Sequence, residues 1–222
     1  MPKRKTLLSW SSGKDSAWAL HTLQQDARFE VVGLVCTVNQ AFQRVAMHGV
    51  RRELLDQQAQ ALGLPLTVID LPYPCSNADY ESIMRGFVAQ AVTDGVECMA
   101  FGDLFLTDIR HYREKNLQDS GLEPVFPLWG QPTQALAQQM IEAGLVAYLT
   151  CVDPAKLSPQ WAGQRYDAEL LAALPAGVDP CGEHGEFHTF AIDGPMFNQP
   201  VAIRQGEVVE RDGFIFADFL AV

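Results

Sequence analysis

Short apolar runs alternate with longer amphipathic segments through the first half of the chain. The runs have the length of buried strands, whereas the longer segments repeat apolar positions at helical spacing and several end at a glycine. The predicted strands are 7–10, 29–38, 65–71 and 96–101, and the predicted helices begin at 17 and cover 50–62, 78–92 and 108–120. This alternation predicts an α/β fold with a doubly wound, mostly parallel sheet and helices on both faces.

The pattern changes near Gly130. The elements predicted after it are helices at 133–143 and 166–174 and strands at 145–152, 186–192, 201–204, 207–210 and 214–219. Gln205-Gly206 and Asp212-Gly213 are predicted turns, and the last strands are typical of an antiparallel sheet. We therefore predict two domains, residues 1–130 and a smaller α+β domain at 131–222.

A turn of small polar residues, 11–16, joins the first strand to the first helix. Such a turn before a helix N-terminus is a good anion site, because backbone N–H groups and the helix dipole favour negative charge. Lys14 adds a positive charge, and Ser11 and Ser16 add hydroxyl donors. The turn is not a Walker A loop, since it lacks the first glycine of that motif and has Asp15 in the Ser/Thr position. It predicts a phosphate-binding loop, with an ordinary capped turn as the alternative.

Small or polar residues follow three of the predicted strands. These are residues 11–16 after the first strand, Cys36, Thr37 and Asn39 after the second, and Gly102 and Asp103 after the fourth. Ligands of open parallel sheets bind outside the carboxyl ends of the strands, so we expect these groups to meet at one edge. Asp103 taken alone could equally cap a turn.

Two arginines and one histidine are weaker candidates for contacts with a ligand. Arg110 and Arg113 share one face near the start of a helix that Asp108 is predicted to cap. Cations are disfavoured there by the helix dipole, which suggests a ligand contact; an exposed stripe paired with Glu114 is the alternative. His48 precedes the second helix and, taken alone, is typical of a surface or cap residue.

A glycine-rich block, 181–190, leads into one of the late strands. Strand alternation places Glu186 and His188 on one face, roughly 6–7 Å apart. A carboxylate beside an imidazole can perform acid–base chemistry or hold a cation. A polar edge strand after a turn is the alternative, but a phosphate loop elsewhere in the chain favours a site.

Composition narrows the choice of function. The 222 residues carry a formal net charge of −11, which argues against a surface that grips RNA. No apolar run is long enough to span a membrane, and we predict a cytoplasmic location. The five widely spaced cysteines form no Cys-x-x-Cys pair, which argues against a disulfide framework and a structural zinc site.

Residues 11–16 resemble the PP-loop, Ser-Gly-Gly-x-Asp-Ser, of ATP pyrophosphatases, which cut ATP between the α and β phosphates. Ser12 stands where that family usually has glycine, and the loop would tolerate Ser12 if its φ is negative and its side chain points away from the phosphates. Further blocks occur in the order found in the diphthine–ammonia ligase family: Met47-His48, Gly102-Asp103 with Asp108 and Arg110, Pro127-Leu128-Trp129-Gly130, 182–190 and 193–197. Nearly the whole chain resembles that family. The resemblance implies an ATP-binding, Rossmann-like adenine nucleotide α-hydrolase domain followed by a family-specific domain.

The resemblance also implies a reaction. A substrate carboxylate attacks the α-phosphorus of ATP, giving an acyl-adenylate and pyrophosphate, and ammonia then displaces AMP. The implied cofactors are ATP and Mg²⁺, and the implied acceptor bears a carboxylate, with diphthine on a translation elongation factor as the best-known case. The implied catalytic residues are Lys14, Asp103, Arg110, Glu183, Glu186 and His188. The implied nucleotide contacts are Ser11, Ser12, Gly13, Lys14, Asp15, Ser16, Cys36, Thr37, His48 and Gly102, and Asp15 is also the implied metal ligand.

Two other functions stay open at this point. Other PP-loop proteins modify transfer RNA, although the acidic charge is unfavourable and the lack of cysteine pairs argues against sulfur transfer. A nucleotide-binding sensor of the same fold would bind ATP or AMP without turnover. A homodimer is also open.

Overall fold

The computed structural model describes residues 2–222, and its larger sheet is mostly parallel. The strands of this sheet are β1 (Arg4–Ser9), β2 (Phe29–Asn39), β3 (Arg44–Val45), β4 (Leu66–Leu71), β5 (Cys98–Ala100) and β6 (Glu123–Val125). Parallel pairing gives the spatial order β4-β2-β1-β5-β6, and β3 pairs antiparallel with the end of β2. The strand order reverses at β1, which is where open α/β sheets form their ligand crevice.

Helices cover both faces of this sheet. They are α1 (Lys14–Gln25), α2 (Arg52–Leu62), α3 (Asn77–Thr93) and α4 (Thr107–Leu117). Leu8 of β1 packs in one apolar cluster with residues of α1 and α2, whereas its neighbour Leu7 packs in a second cluster with residues of α3 and α4. Successive strand residues point to opposite faces, so both sides of a buried strand must be apolar. The predicted doubly wound α/β architecture is confirmed.

Two helix ends follow the local chemistry of the sequence. Gly63 ends α2 with φ 67°, as the sequence predicts, and Ser76 forms a capping box with Asp79 at the start of α3. The prediction that Asp108 caps α4 is wrong. Leu106 is the cap residue there, without a side-chain hydrogen bond, and Asp108 lies within the first turn.

The second sheet is antiparallel. The later elements are α5 (Thr133–Glu142), β7 (Val146–Val152), a short 3₁₀ helix (Pro159–Trp161), α6 (Ala168–Ala173), β8 (Phe187–Asp193), β9 (Ile203–Arg211) and β10 (Phe214–Ala221). The sheet order is β8-β7-β10-β9. The antiparallel character predicted for the last part of the chain is therefore confirmed.

One of the two predicted turns does not exist. Gln205-Gly206 lies inside β9, opposite an irregularity in the register of β10 between Ala217 and Phe219. A Cβ on Gly206 would lie 3.3 Å from the Cβ of Asp218, so this glycine serves a close approach of two strands. Asp212-Gly213 does form the predicted turn, with φ values of 50° and 81°.

The two sheets share one apolar core. The larger cluster runs from Leu8 and Trp10 at the start of the chain to Phe190 and Phe219 in the second sheet. The division into domains near Gly130 stays a prediction. Within residues 2–222, no helix combines the length and apolar character needed to cross a bilayer.

Candidate functional site

The phosphate-loop candidate is a tight connection between β1 and α1. Trp10 extends the sheet by donating its amide to the carbonyl of Val35 at 2.7 Å, and Gly13 is the cap residue of α1. Ser12 has φ +71°, so the condition of a negative φ is not met. Its Oγ is buried and has no hydrogen-bond partner among residues 2–222. The chain takes the left-handed conformation here because the loop must turn within a few residues to start the helix.

The loop is bonded to β8, far away in the sequence. The carbonyl of Ser12 accepts a hydrogen bond from the amide of Ala191 at 2.9 Å, and the amide of Lys14 donates to Oγ1 of Thr189 at 3.0 Å. Thr189 thereby satisfies one of the donors that a helix N-terminus leaves free. Strand β8 of the second sheet is therefore hydrogen-bonded directly to the loop.

Buried Gln58 of α2 hydrogen-bonds to both sides of the contact between the loop and β8. Its Nε2 donates to the carbonyls of Ser12 and Ala191, and its Oε1 accepts from Nε1 of Trp10 at 3.0 Å. All its polar atoms are used, which is what full burial of an amide requires. Sequence reasoning missed this residue; a glutamine on the apolar face of an amphipathic helix was the available signal.

Two amides of the first turn of α1 are candidates for binding an anion, although the amide of Asp15 also contacts its own carboxylate. Within residues 2–222, neither the amide of Asp15 nor that of Ser16 donates to another residue. Ser16 Oγ donates to the Gly13 carbonyl at 2.9 Å, and Ser11 Oγ lies 3.2 Å from Ser16 Oγ. A Cβ on Gly102 would lie 3.0 Å from the carbonyl carbon of Asp15, so only glycine lets the end of β5 approach this turn. Backbone amides at a helix N-terminus suit an anion.

Lys14 is buried instead of projecting into solvent. Its Nζ contacts both carboxylate oxygens of Asp15, at 2.9 and 2.8 Å, and the carbonyl of Cys181. The rings of Tyr166 and Phe187 lie 5.5 Å from it. Burial opposes the charge, but the neighbouring groups Asp15, Cys181 and Glu183 together outweigh it and raise the pKa of Lys14 above its ordinary value. Lys14 is a fixed positive charge between the loop and the C-terminal half.

The acidic turn before β8 reaches the edge of the larger sheet. Glu183 Oε1 accepts hydrogen bonds from the amides of Leu104 at 2.8 Å and Phe105 at 3.4 Å. Burial, with the charge of Asp15 adding to it, raises the pKa of Glu183 to about 7. Glu183 therefore fixes the segment that follows Gly102 and holds a proton near neutral pH.

Glu186 lies deeper than Glu183. Its Oε1 accepts from the amide of Asp179 at 3.0 Å, while its Oε2 is buried without a partner among residues 2–222. Asp179 in turn accepts from the amide of Glu183 at 2.9 Å. The turn is thus cross-linked by its own carboxylates.

His48 and His188 face each other beside the loop. Their ring centroids are 4.8 Å apart, and His48 Nδ1 lies 2.8 Å from the carbonyl of Thr189. A Cβ on Gly13 would lie 2.7 Å from Cε1 of His48, so the imidazole rests on the loop backbone. Burial lowers the pKa of His48 to about 3 and the pKa of His188 to about 4, and both rings are neutral at physiological pH.

The turn that carries His48 is clamped to β10. Asp218 binds Arg44 at 2.9 Å and Arg51 at 2.6 Å, on either side of the turn. Arg44 also donates to the carbonyl of Gly49. Gly49 has φ +68° and lies against Phe216 of β10. The position of His48 therefore depends on the second sheet.

Arg110 and Asp103 are paired with neighbours. Arg110 Nε lies 2.7 Å from Oε1 of Glu114, as the alternative explanation for this stripe requires, and its guanidinium stacks over Phe126 and Trp129. Asp103 lies 3.5 Å from Nε of Arg113. These residues lie near the same sheet edge, but their charges are partly compensated within the protein.

A cavity of about 940 Å³ opens at the carboxyl ends of the parallel strands. Its lining includes Ser9, Ser11, Thr37, Met99 and Phe101 from the sheet and Tyr80, Met84, Arg113 and Asn116 from α3 and α4.

Ser11 and Thr37, which line the cavity, are predicted site residues. The side chain of Cys36 instead packs in the apolar cluster on the other face of the sheet. Cys36 and Thr37 also lie inside β2, which runs on to Asn39. Sequence reasoning missed the helix contribution, because helical faces give no chemical signal of their own.

The loop, the acidic turn and the two histidines thus meet in one region, joined by direct hydrogen bonds. Among residues 2–222, no group of three histidine, cysteine or acidic side chains is arranged to hold a metal ion. The Asp15 carboxylate is half-buried beside the loop and bonded to Lys14.

Fold and loop define an α/β protein of the nucleotide-binding type whose second sheet closes over the loop. Residues 4–124 match the diphthamide synthase N-terminal domain, and residues 132–217 match the diphthamide synthase C-terminal domain. The chain belongs to the diphthamide synthase family.

Curated relatives agree with this assignment. The diphthine–ammonia ligase of Danio rerio is 30% identical over 187 residues, which cover 76% of this chain and 72% of the relative. The diphthine–ammonia ligases of Bos taurus and Homo sapiens are 27% and 25% identical over 192 residues, covering 79% of this chain and 70% of each relative. The family is one of ligases, and the chain is an enzyme of that class.

Proposed function

We propose that the chain is an ATP-dependent ligase that forms an amide from a carboxylate and ammonia, releasing AMP and pyrophosphate. The carboxylate displaces pyrophosphate from the α-phosphorus, and ammonia displaces AMP from the resulting acyl-adenylate. Diphthine is the proposed acceptor, because the relatives in Danio rerio, Bos taurus and Homo sapiens carry the name diphthine–ammonia ligase.

One observation carries the proposal. The turn 11–16 presents the amides of Asp15 and Ser16, which bond no other residue among residues 2–222, at the switch point of the sheet, next to a cavity of about 940 Å³. That volume lies in the range of pockets that hold small molecules. Adenosine in the cavity would place a triphosphate at the turn, where amides and the dipole of α1 stabilise its charge.

The other site residues keep the roles inferred from the resemblance. Lys14 supplies a fixed positive charge at the loop, and Thr37 of the cavity wall contacts adenosine. Glu183 orders the segment that carries Asp103, through the amides of Leu104 and Phe105. Arg110 and Glu186 act near the α-phosphorus, and His188 acts on the acceptor side.

Mg²⁺ fits the site only as a partner of the nucleotide. It is typically held by one or two carboxylates together with substrate phosphates and waters, and Asp15 offers one such carboxylate beside the loop. The bound ion would neutralise phosphate charge during transfer. The protein's part is to orient the phosphates through the turn 11–16.

Product analysis tests the proposal. The protein is incubated with ATP, Mg²⁺, an ammonium salt and a diphthine-bearing translation elongation factor, and nucleotides are separated. AMP with pyrophosphate is expected. ADP as the product would contradict the mechanism, and tight nucleotide binding without turnover would identify a sensor instead.

Substitution of Lys14 is the companion measurement. Lys14→Ala removes one charge-assisted interaction, which corresponds to about 1.5–3 kcal/mol, or roughly 10- to 100-fold in AMP formation. Lys3→Ala, at an exposed position, is the matched control and should be silent. Equal rates for both variants would remove Lys14 from the mechanism, provided circular dichroism shows that both are folded.

A further inference from the structure

We propose that His48 and His188 form the ammonia site of the enzyme, where the nucleophile is held as the free base and gives up its proton. This inference rests on the proposed function and deepens it. The substrate it assigns to the pair is ammonia, and the partner it attacks is the acyl-adenylate at the neighbouring loop.

The position of the pair fits a second substrate better than the nucleotide. Neither histidine lines the cavity at the strand ends, although Val45 and Ala46, just before His48, do. The rings lie on the side of the loop that faces β8, with His48 against Gly13. A nucleophile held there would approach the loop from a different side than adenosine.

Hydrogen bonding fixes the tautomer of His48. Its Nδ1 lies 2.8 Å from the Thr189 carbonyl, which can only accept, so Nδ1 carries the proton. Nε2 of a neutral ring is then left with a lone pair. His188 stacks beside it at 4.8 Å, and both side chains are half-buried, so a small polar molecule can reach them.

The charges around the pair favour ammonia over ammonium. His48 faces His188 and Lys14, while His188 faces Lys14 and Lys156. Burial is the main cause that keeps both imidazoles neutral, and it disfavours an ammonium ion for the same reason. The two lysines act in the same direction, although Lys14 is paired with Asp15 and Lys156 with Asp153. A nucleophile needs its lone pair, so an environment that strips the extra proton prepares it for attack.

Amide formation exchanges one bond at the acyl carbon for another. The ammonia lone pair forms the C–N bond at the acyl carbon, and the bond from that carbon to the phosphate oxygen of AMP breaks. The nitrogen becomes strongly acidic as the adduct collapses to the amide, so the weakly basic imidazole Nε2 accepts one proton at that point and passes it to solvent. The products are the amide, AMP and one proton.

Measuring the two half-reactions separately tests the site. ATP–pyrophosphate exchange with the diphthine-bearing elongation factor reports adenylate formation, and amide formation with ammonium chloride reports the whole reaction. In His48→Asn, the side-chain amide can still donate to Thr189, but the Nε2 lone pair is gone. We expect unchanged exchange and a loss of about 10²-fold in amide formation, the usual contribution of a positioned base. His188→Asn should show the same split.

The choice of nucleophile separates a proton-transfer role from a structural one. Hydroxylamine is unprotonated near neutral pH, so it should restore most of the rate of His48→Asn. His21→Gln, two turns along α1 from the loop, is the control and should leave both half-reactions unchanged. Equal losses in exchange and amide formation, or no loss at all, would overturn the ammonia site. No exchange with the unaltered protein would overturn the proposed function, and this inference with it.

Discussion

At the scale of single residues, the site depends on groups that are costly to bury. Ser12 combines φ +71° with a buried hydroxyl that has no hydrogen-bond partner among residues 2–222. Glu186 likewise buries one carboxylate oxygen that has no hydrogen-bond partner among these residues. Each feature costs on the order of 1–3 kcal/mol, so the surrounding bonds must hold it in place.

Glu183 should make stability depend on pH. Its pKa of about 7 in the fold lies above the ordinary 4.5, so between these values the folded protein keeps a proton that the unfolded chain has lost. Stability therefore falls as pH rises through this window. Glu183→Gln keeps an acceptor for Leu104 and cannot ionise, so it should stabilise the protein by about 2 kcal/mol at pH 8 and by little at pH 5.

Urea unfolding of both proteins at the two pH values measures this difference. Glu207→Gln, at an exposed position on β9, is the matched control and should show no pH-dependent gain. A constant difference between Glu183→Gln and the unaltered protein at both pH values would show that Glu183 is ionised throughout.

Residue types could be predicted from the sequence, but their partners could not. The small residues and the lysine of 11–16 indicate an anion site by local chemistry alone. Lys14 bonds the carbonyl of Cys181, and the carbonyl of Ser12 accepts from the amide of Ala191. These partners belong to β8 and the turn before it, about 170 positions away along the chain. The φ of Ser12 belongs to the same group, because the contact with β8 helps to set the path of the loop.

At the scale of elements, α2 connects the two sheets through one side chain. Gln58 bonds Trp10, Ser12 and Ala191, which belong to the end of β1, the loop and β8. Gln58→Leu has similar volume but leaves a buried indole N–H and a carbonyl without partners. We expect a loss of about 3 kcal/mol in the free energy of unfolding.

Thermal or urea unfolding of Gln58→Leu checks this expectation. Gln60→Leu, exposed on the same helix, should change stability by less than about 0.5 kcal/mol. Similar effects of the two substitutions would mean that helix propensity or surface chemistry, rather than the buried network, decides the outcome.

Element types were predictable where local periodicity is strong, and element details were not. The alternation of runs and amphipathic segments predicts β1, β2, β4 and β5 and their helices, since each has a distinct period. The two- and three-residue strands β3 and β6 are too short for any period, and they form only because a neighbour supplies hydrogen bonds. Gly206 suggests a turn locally, yet its strand continues because β10 pairs across it.

At the scale of the whole molecule, the candidate site belongs to neither half alone. The turn 11–16 comes from the first half, and the acidic turn and β8 come from the second. Thr189 and Ala191 bond the loop directly, and Asp218 holds the turn of His48. The geometry of the site therefore depends on how the two sheets are packed against each other.

The shared core predicts that the two sheets unfold together. One apolar cluster contains Leu8 and Trp10 of the first half and Phe190 and Phe219 of the second, so separating the halves would expose it to water. Hydrogen exchange measured at increasing urea concentrations should show peptides from β1 and β8 losing protection at one midpoint. The β9–β10 turn at Asp212-Gly213 is the internal reference for local opening and should exchange first. A lower midpoint for β8 than for β1 would show that the second sheet can leave the loop while the first stays folded, because protection at β1 would then not depend on Ala191 and Gln58.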